Sequence, residues 1–134
     1  MALLCGDQIV VYLRDDKPGI PFPGMWDLPG GGREGAESPI ECGLREVEEE
    51  FGLSLNPDNV LAIICYESGT GGLDTYFAAM ALSDADISKI VFGDEGQRWE
   101  MMPVRTFIDH EKAVPHLRNR LQNFVISRST DAGI

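Results

Sequence analysis

Ser38-Pro39-Ile40-Glu41-Cys42-Gly43-Leu44-Arg45-Glu46-Val47-Glu48-Glu49-Glu50-Phe51-Gly52 is the stretch whose reading decides the fold. Ser38 suits an N-cap, Pro39 the first helical position, and Glu41 lies where a capping box closes. Gly52 is a left-handed stop. A helix over 39–51 follows. At about 100° per residue, Ile40, Leu44, Val47 and Phe51 fall on one narrow apolar stripe that must face a core. Glu46, Glu49 and Glu50 are spaced i, i+3 and i+4, an arc of about 100° on the side away from that stripe. Three carboxylates about 5–6 Å apart destabilise a helix unless something offsets their charge. A divalent cation can do so, and oxygen ligands suit Mg²⁺, with Mn²⁺ as a substitute. A solvated acidic helix face is the competing reading of these residues taken alone.

Outward from the helix, Gln8 to Arg14 reads as a strand rich in β-branched and aromatic residues, and Met25 to Leu28 as a short one stopped by Pro29. Between them and the helix, Gly30-Gly31-Gly32 can take backbone angles that other residues resist. Downstream, Val60 to Tyr66 and Thr75 to Leu82 read as a hairpin joined through Ser68-Gly69-Thr70-Gly71-Gly72. Lys89 to Phe92 and Gln97 to Met102 read as further short strands around the acidic loop Gly93-Asp94-Glu95-Gly96. Val114, Leu117, Leu121, Phe124 and Val125 have helical spacing, which predicts a last helix over about 114–127 with Pro115 in its first turn. Strands interleaved with two helices imply a layered α/β fold with a mixed sheet.

The 134 residues carry 11 basic and 22 acidic side chains, a formal charge of −11. One domain over residues 1–134 is the expectation at this length. Such a field repels a nucleic-acid duplex or an anionic membrane, and a polyanionic substrate would need cations to bind. Cys5, Cys42 and Cys65 are odd in number and form no CxxC pair, so a reducing compartment is expected. The opening Met1-Ala2-Leu3-Leu4-Cys5 is too short for a signal peptide, and no apolar run reaches the roughly 20 residues of a membrane span. Together these suggest a cytoplasmic protein.

Gly31, five residues, Glu37, seven residues, then Arg45-Glu46-Val47-Glu48-Glu49-Glu50-Phe51-Gly52-Leu53 resembles the box of the Nudix hydrolases, G-x5-E-x7-R-E-U-x-E-E-x-G-U with U aliphatic, without a departure. At roughly 7 % per identity, chance agreement of its fixed positions is on the order of 10⁻⁸ per starting point. Trp26-Asp27-Leu28-Pro29-Gly30 and the Glu95 to Trp99 segment are similar to the family more loosely. The resemblance implies an α/β/α sandwich and a metal-dependent hydrolase that cleaves a phosphoanhydride in a nucleoside diphosphate linked to another group. It implies Glu46, Glu49 and Glu50 as metal ligands, with the Gly30 carbonyl as a further one. It also implies that Arg45 orients the carboxylates and that Glu37 braces loop and helix.

The family places its general base either on the helix, here Glu46 or Glu49, or in a later loop. Glu95 is the loop candidate for base and metal contact, because Glu95-Gly96-Gln97 followed by Trp99 resembles the corresponding MutT loop. A surface acid in a turn is its other reading, and Glu100 is the fallback. Arg14 is a candidate phosphate contact. Trp26, Phe22 and Tyr76 are candidates to stack on a base, with packing in the core or at its rim as the competing reading of each. His110 and His116 receive no role.

The short chain looks most like the MutT group, which converts nucleoside triphosphates to monophosphate and pyrophosphate. Ala113 stands where MutT has its guanine-reading Asn, which speaks against oxidised-guanine specificity. A Nudix-fold nucleotide-binding regulatory module without turnover is the alternative. A monomer or homodimer acting on a small nucleotide is expected.

Overall fold

The computed structural model describes residues 1–69 and 74–132. The helix over the quoted stretch forms as its sequence dictates. Helix α1 runs Pro39–Phe51, Ser38 and Glu41 close the capping box reciprocally, and Gly52 ends it at φ 65° with its N–H on the Glu48 carbonyl. Val47 and Phe51 are fully buried, while Leu44 only borders the core.

Among the described residues, six strands form one sheet: β1 (Ala2–Cys5), β2 (Gln8–Leu13), β3 (Trp26–Asp27), β4 (Val60–Tyr66), β5 (Thr75–Ala81) and β6 (Arg98–Pro103). β4 and β5 pair antiparallel, as the hairpin reading expects. Residues Thr70 to Gly72 of its connecting turn lie outside the described residues. β6 pairs with β2 over the whole of Gln8–Leu13, so β1 and β3 must share the opposite edge of β2, one at each end. β1 runs parallel to β5, which makes the sheet mixed.

The two faces of the sheet are covered separately, which gives the α/β/α sandwich. Leu3, Val10, Tyr12 and Met80 pack with Val47 and Phe51 of α1. Ala2, Ile9, Val11, Phe77 and Met102 pack on the other side with Leu121 and Phe124. Those last two belong to α4 (Pro115–Ala132), which starts within a residue of the position expected and runs further.

Three elements differ from the sequence reading. β1 is an unbroken apolar run at the chain start, which carries no alternation because it is flanked by β2 and β5 and buried on both faces. Lys89 to Phe92 is not a strand. Ser83 caps the short helix α2 (Asp84–Ser88), and the chain then donates Val91 N–H to the Phe51 carbonyl and Gly93 N–H to the Glu50 carbonyl. It thereby satisfies α1 carbonyls that the helix end leaves open. Finally, β6 passes directly into α3 (Val104–Asp109), whose Phe107 and Ile108 are buried beneath α4.

Candidate functional site

Arg45 organises the acidic face of α1. Its Nε and Nη2 donate to the two Glu37 carboxylate oxygens at 2.8 and 3.1 Å, a bidentate pair, and Nη2 also donates to the Gly32 carbonyl at 3.1 Å. Nη1 donates to Glu46 Oε1 at 2.9 Å and to both Glu49 oxygens at 3.3 and 3.4 Å. Glu37 in turn accepts the Glu34 N–H at 2.8 Å. The Arg45 guanidinium, helped by that N–H, holds the Glu37 carboxyl below the usual range. A fork of five donors suits this task where a lysine ammonium would not.

Glu50 is held differently: its Oε1 accepts the Gly30 N–H at 3.0 Å. Burial raises its pKa to about 7 against that hydrogen bond, with the Glu46 and Asp27 charges pushing the same way as burial. The expected arc of three carboxylates therefore exists, but it is not uniformly solvated. Glu49 is open, with 58 % of its side chain exposed, whereas Glu46 retains 17 %. The glycine loop presses on this rim, since a Cβ at Gly31 would stand 2.6 Å from the Glu46 carboxyl. Gly30 has φ 147°, a conformation that favours glycine.

Among the described residues, no three His, Cys, Asp or Glu side chains are grouped to cage an ion by themselves. The reason is visible in the partners: Glu46 and Glu49 are turned to Arg45, and Glu50 to the Gly30 N–H. Even so, the donor set fits a hard divalent cation. It is all oxygen, it lies along one rim, and its crowded carboxylates have a single guanidinium between them.

Beside that rim is a cavity of about 610 Å³, the size of a small-molecule site. Gly30 to Gly32 form one wall and Asp27, Arg14, Tyr76 and His116 contribute to others. Arg14 does line it, but its Nη1 is committed to Asp27 at 2.7 Å and its Nε to the Pro21 carbonyl at 2.9 Å. Tyr76 lines it too, with the Arg33 guanidinium 5.0 Å from its ring centre. Trp26 does not. It is 6 % exposed in the core beneath α4, with Arg98 over its ring, so packing accounts for it.

Glu95 is exposed. Its loop is tethered to the site: Gly93 N–H bonds the Glu50 carbonyl, and the Gln97 N–H and side-chain amide bond the Leu13 and Arg14 carbonyls. A Cβ at Gly93 would sit 3.1 Å from the Glu49 carbonyl, and one at Gly96 3.0 Å from that of Leu13. These glycines permit close approach. Glu100 is placed elsewhere: it pairs with Val11, whose side chain faces α4, so it occupies the sheet face opposite α1.

Sequence reasoning missed Asp27, which accepts from Tyr12 Oη, Arg14 Nη1 and the Leu28 N–H and so locks β3 beside Gly30. It also missed Arg33, Arg120 and His116. Asp27 lay within the family-like Trp26 to Gly30 segment, the one signal that pointed to it. The other three meet only through folding.

The NUDIX domain family model matches residues 1–124. The chain belongs to the NUDIX domain family. Among curated proteins it is similar to the m7GpppN-mRNA hydrolase NUDT17 of Danio rerio, 49 % identical over 39 residues, which are 29 % of this chain and 13 % of that protein. The match thus spans about an eighth of that relative's length. Among solved structures, the MutT protein of Methanosarcina mazei Go1 superposes with TM-score 0.69 at 18 % identity, over 95 % of this chain and 90 % of that one. A Francisella tularensis bifunctional NMN adenylyltransferase/ADP ribose pyrophosphatase, complexed with AMP and a Mn ion, superposes with TM-score 0.67 at 16 % identity, over 98 % of this chain and 39 % of that one. Both likenesses are of fold.

Proposed function

We propose that residues 1–134 act as one Nudix pyrophosphohydrolase domain. It would hydrolyse a phosphoanhydride in a nucleoside diphosphate-linked substrate, with a nucleoside triphosphate going to monophosphate and pyrophosphate. The observation that carries this is the Arg45 guanidinium bonded at once to Glu37, Glu46 and Glu49, while Glu50 takes the Gly30 N–H. It sets a carboxylate rim beside a cavity of nucleotide size. Glu46, Glu49 and Glu50, with the Gly30 carbonyl, would hold Mg²⁺ or Mn²⁺. The cation supplies charge neutralisation at phosphate oxygens and acidifies water. The Francisella relative, complexed with AMP and a Mn ion, supports a nucleotide and a divalent cation as ligands. Arg45 orients the rim, and Glu46, Glu49 or Glu95 takes the proton from the attacking water.

No described helix is long and apolar enough to cross a membrane. The free cysteines Cys5, Cys42 and Cys65 support a cytoplasmic setting. A regulatory module that binds nucleotide without turnover is the second reading, and the intact box disfavours it.

With a panel of nucleotides, phosphate and pyrophosphate release is expected with Mg²⁺ or Mn²⁺ and to vanish in EDTA. At a charge of −11 the rim has no other means of engaging a polyphosphate. Full turnover in chelator contradicts the reading.

Glu95→Gln is expected to lower kcat by about a hundredfold with little change in KM or Tm, since the side chain is exposed on a tethered loop. Unchanged rates in this variant beside abolished activity in Glu46→Gln would assign the base to the helix.

A further inference from the structure

Among the described residues Phe22 is the one non-glycine with a positive φ, 50°, and it is also 38 % exposed. A bulky residue in that region is disfavoured and persists only when its surroundings over-determine it. Here they do. Met25 N–H bonds the Phe22 carbonyl, Gly24 N–H the Asp15 carbonyl, and Arg14 Nε the Pro21 carbonyl. The turn so fixed sets the Phe22 ring against the His116 imidazole from the first turn of α4, centroids 5.8 Å apart at 48°. Both residues line the cavity that the Gly30 rim borders.

Strain spent on keeping an apolar ring half in water has no return in the free protein. The other aromatic candidates are already engaged, Trp26 in the core under Arg98 and Tyr76 under Arg33. No cation lies over Phe22 among the described residues. Burial, and then the Arg120 charge, lower the His116 pKa, a shift that favours the uncharged ring. Two such rings lining one cavity suit the face of a planar heterocycle.

We propose that Phe22 and His116 form an aromatic shelf that stacks on the heterocyclic base of a nucleotide whose phosphates lie at the Gly30–Glu50 rim. The shelf makes these two residues specificity-determining for base-bearing substrates, and it rests on the hydrolase reading for the placement of the phosphates.

The probe is 2-aminopurine riboside 5′-monophosphate with Mg²⁺, whose fluorescence is quenched on stacking. The wild type should quench it. Phe22→Gly removes the ring and relieves the backbone, so it should keep Tm and weaken probe affinity about tenfold or more. His116→Ala should weaken it in the same direction, and Phe22→Trp should retain it. In turnover, the Gly and Ala variants should raise KM for nucleoside triphosphates more than they lower kcat.

No quench by the wild type at millimolar probe, or wild-type affinity in both Phe22→Gly and His116→Ala, overturns the shelf. If Phe22→Gly lowers Tm, His116→Ala at retained Tm decides. A protein that quenches yet hydrolyses no nucleotide keeps the shelf and loses the hydrolase reading. One that turns over nucleotides with KM unchanged in both variants loses the shelf alone.

Discussion

Glu50→Gln and Glu49→Gln are each expected to lower kcat at least about a hundredfold while the domain stays folded. The fold expectation follows from where the groups stand. The Glu49 side chain is mostly exposed and, among the described residues, bonds Arg45 alone, so its loss removes no packing. Glu50 is more buried, but Gln keeps a carbonyl oxygen able to accept the Gly30 N–H that Oε1 takes now. The rate expectation follows from charge. An amide cannot offset a cation as a carboxylate does, and the rim has few oxygens to spare. Thermal melts matched to wild type, beside steady-state rates, check both halves. Near-wild-type kcat in either variant would remove that residue from the ligand set.

Val47→Asp is expected to do the reverse, abolishing the fold and activity with it. Val47 is fully buried between α1 and the sheet, among Leu3, Val10, Phe51 and Met80. An aspartate there loses the valine contacts and puts a carboxyl into an apolar cluster, a combined cost of several kcal/mol. Against a net stability of about 5–15 kcal/mol for a domain, that removes most or all of the margin. Circular dichroism should show loss of the cooperative transition seen for wild type. A variant that melts like wild type would mean that the side chain escapes to solvent and that α1 is not docked through this stripe.

The contrast between neighbours on one helix shows what the sequence makes legible. Ser38, Pro39, Glu41 and Gly52 act locally, so α1 is readable residue by residue, and the period of Val47 and Phe51 against Glu46 and Glu49 sorts core from rim. The β4–β5 hairpin is legible through its strand composition. Lys89 to Phe92 is not: its apolar residues look like a strand, yet its backbone bonds the end of α1, a partner far away in sequence. β1 is missed because a strand buried on both faces has no alternation to read.

The site divides the same way. Glu46, Glu49 and Glu50 are placed by one helix. That Arg45 joins Glu46 and Glu49 to Glu37 of the preceding loop, while Glu50 turns to Gly30, depends on the path of the glycine loop, and the tether on Glu95 depends on the path of its own. Phe22 and His116 come from a loop and from α4, and no spacing could announce their meeting.

Phosphorus NMR of the products formed from a set of nucleoside triphosphates with Mg²⁺ tests the proposed pyrophosphohydrolysis most directly. Nucleoside monophosphate and pyrophosphate are expected in equal amounts, and at least about a hundredfold more slowly when Glu49→Gln replaces the wild type. Nucleotide that binds and returns intact, or diphosphate with inorganic phosphate as the products, would contradict it.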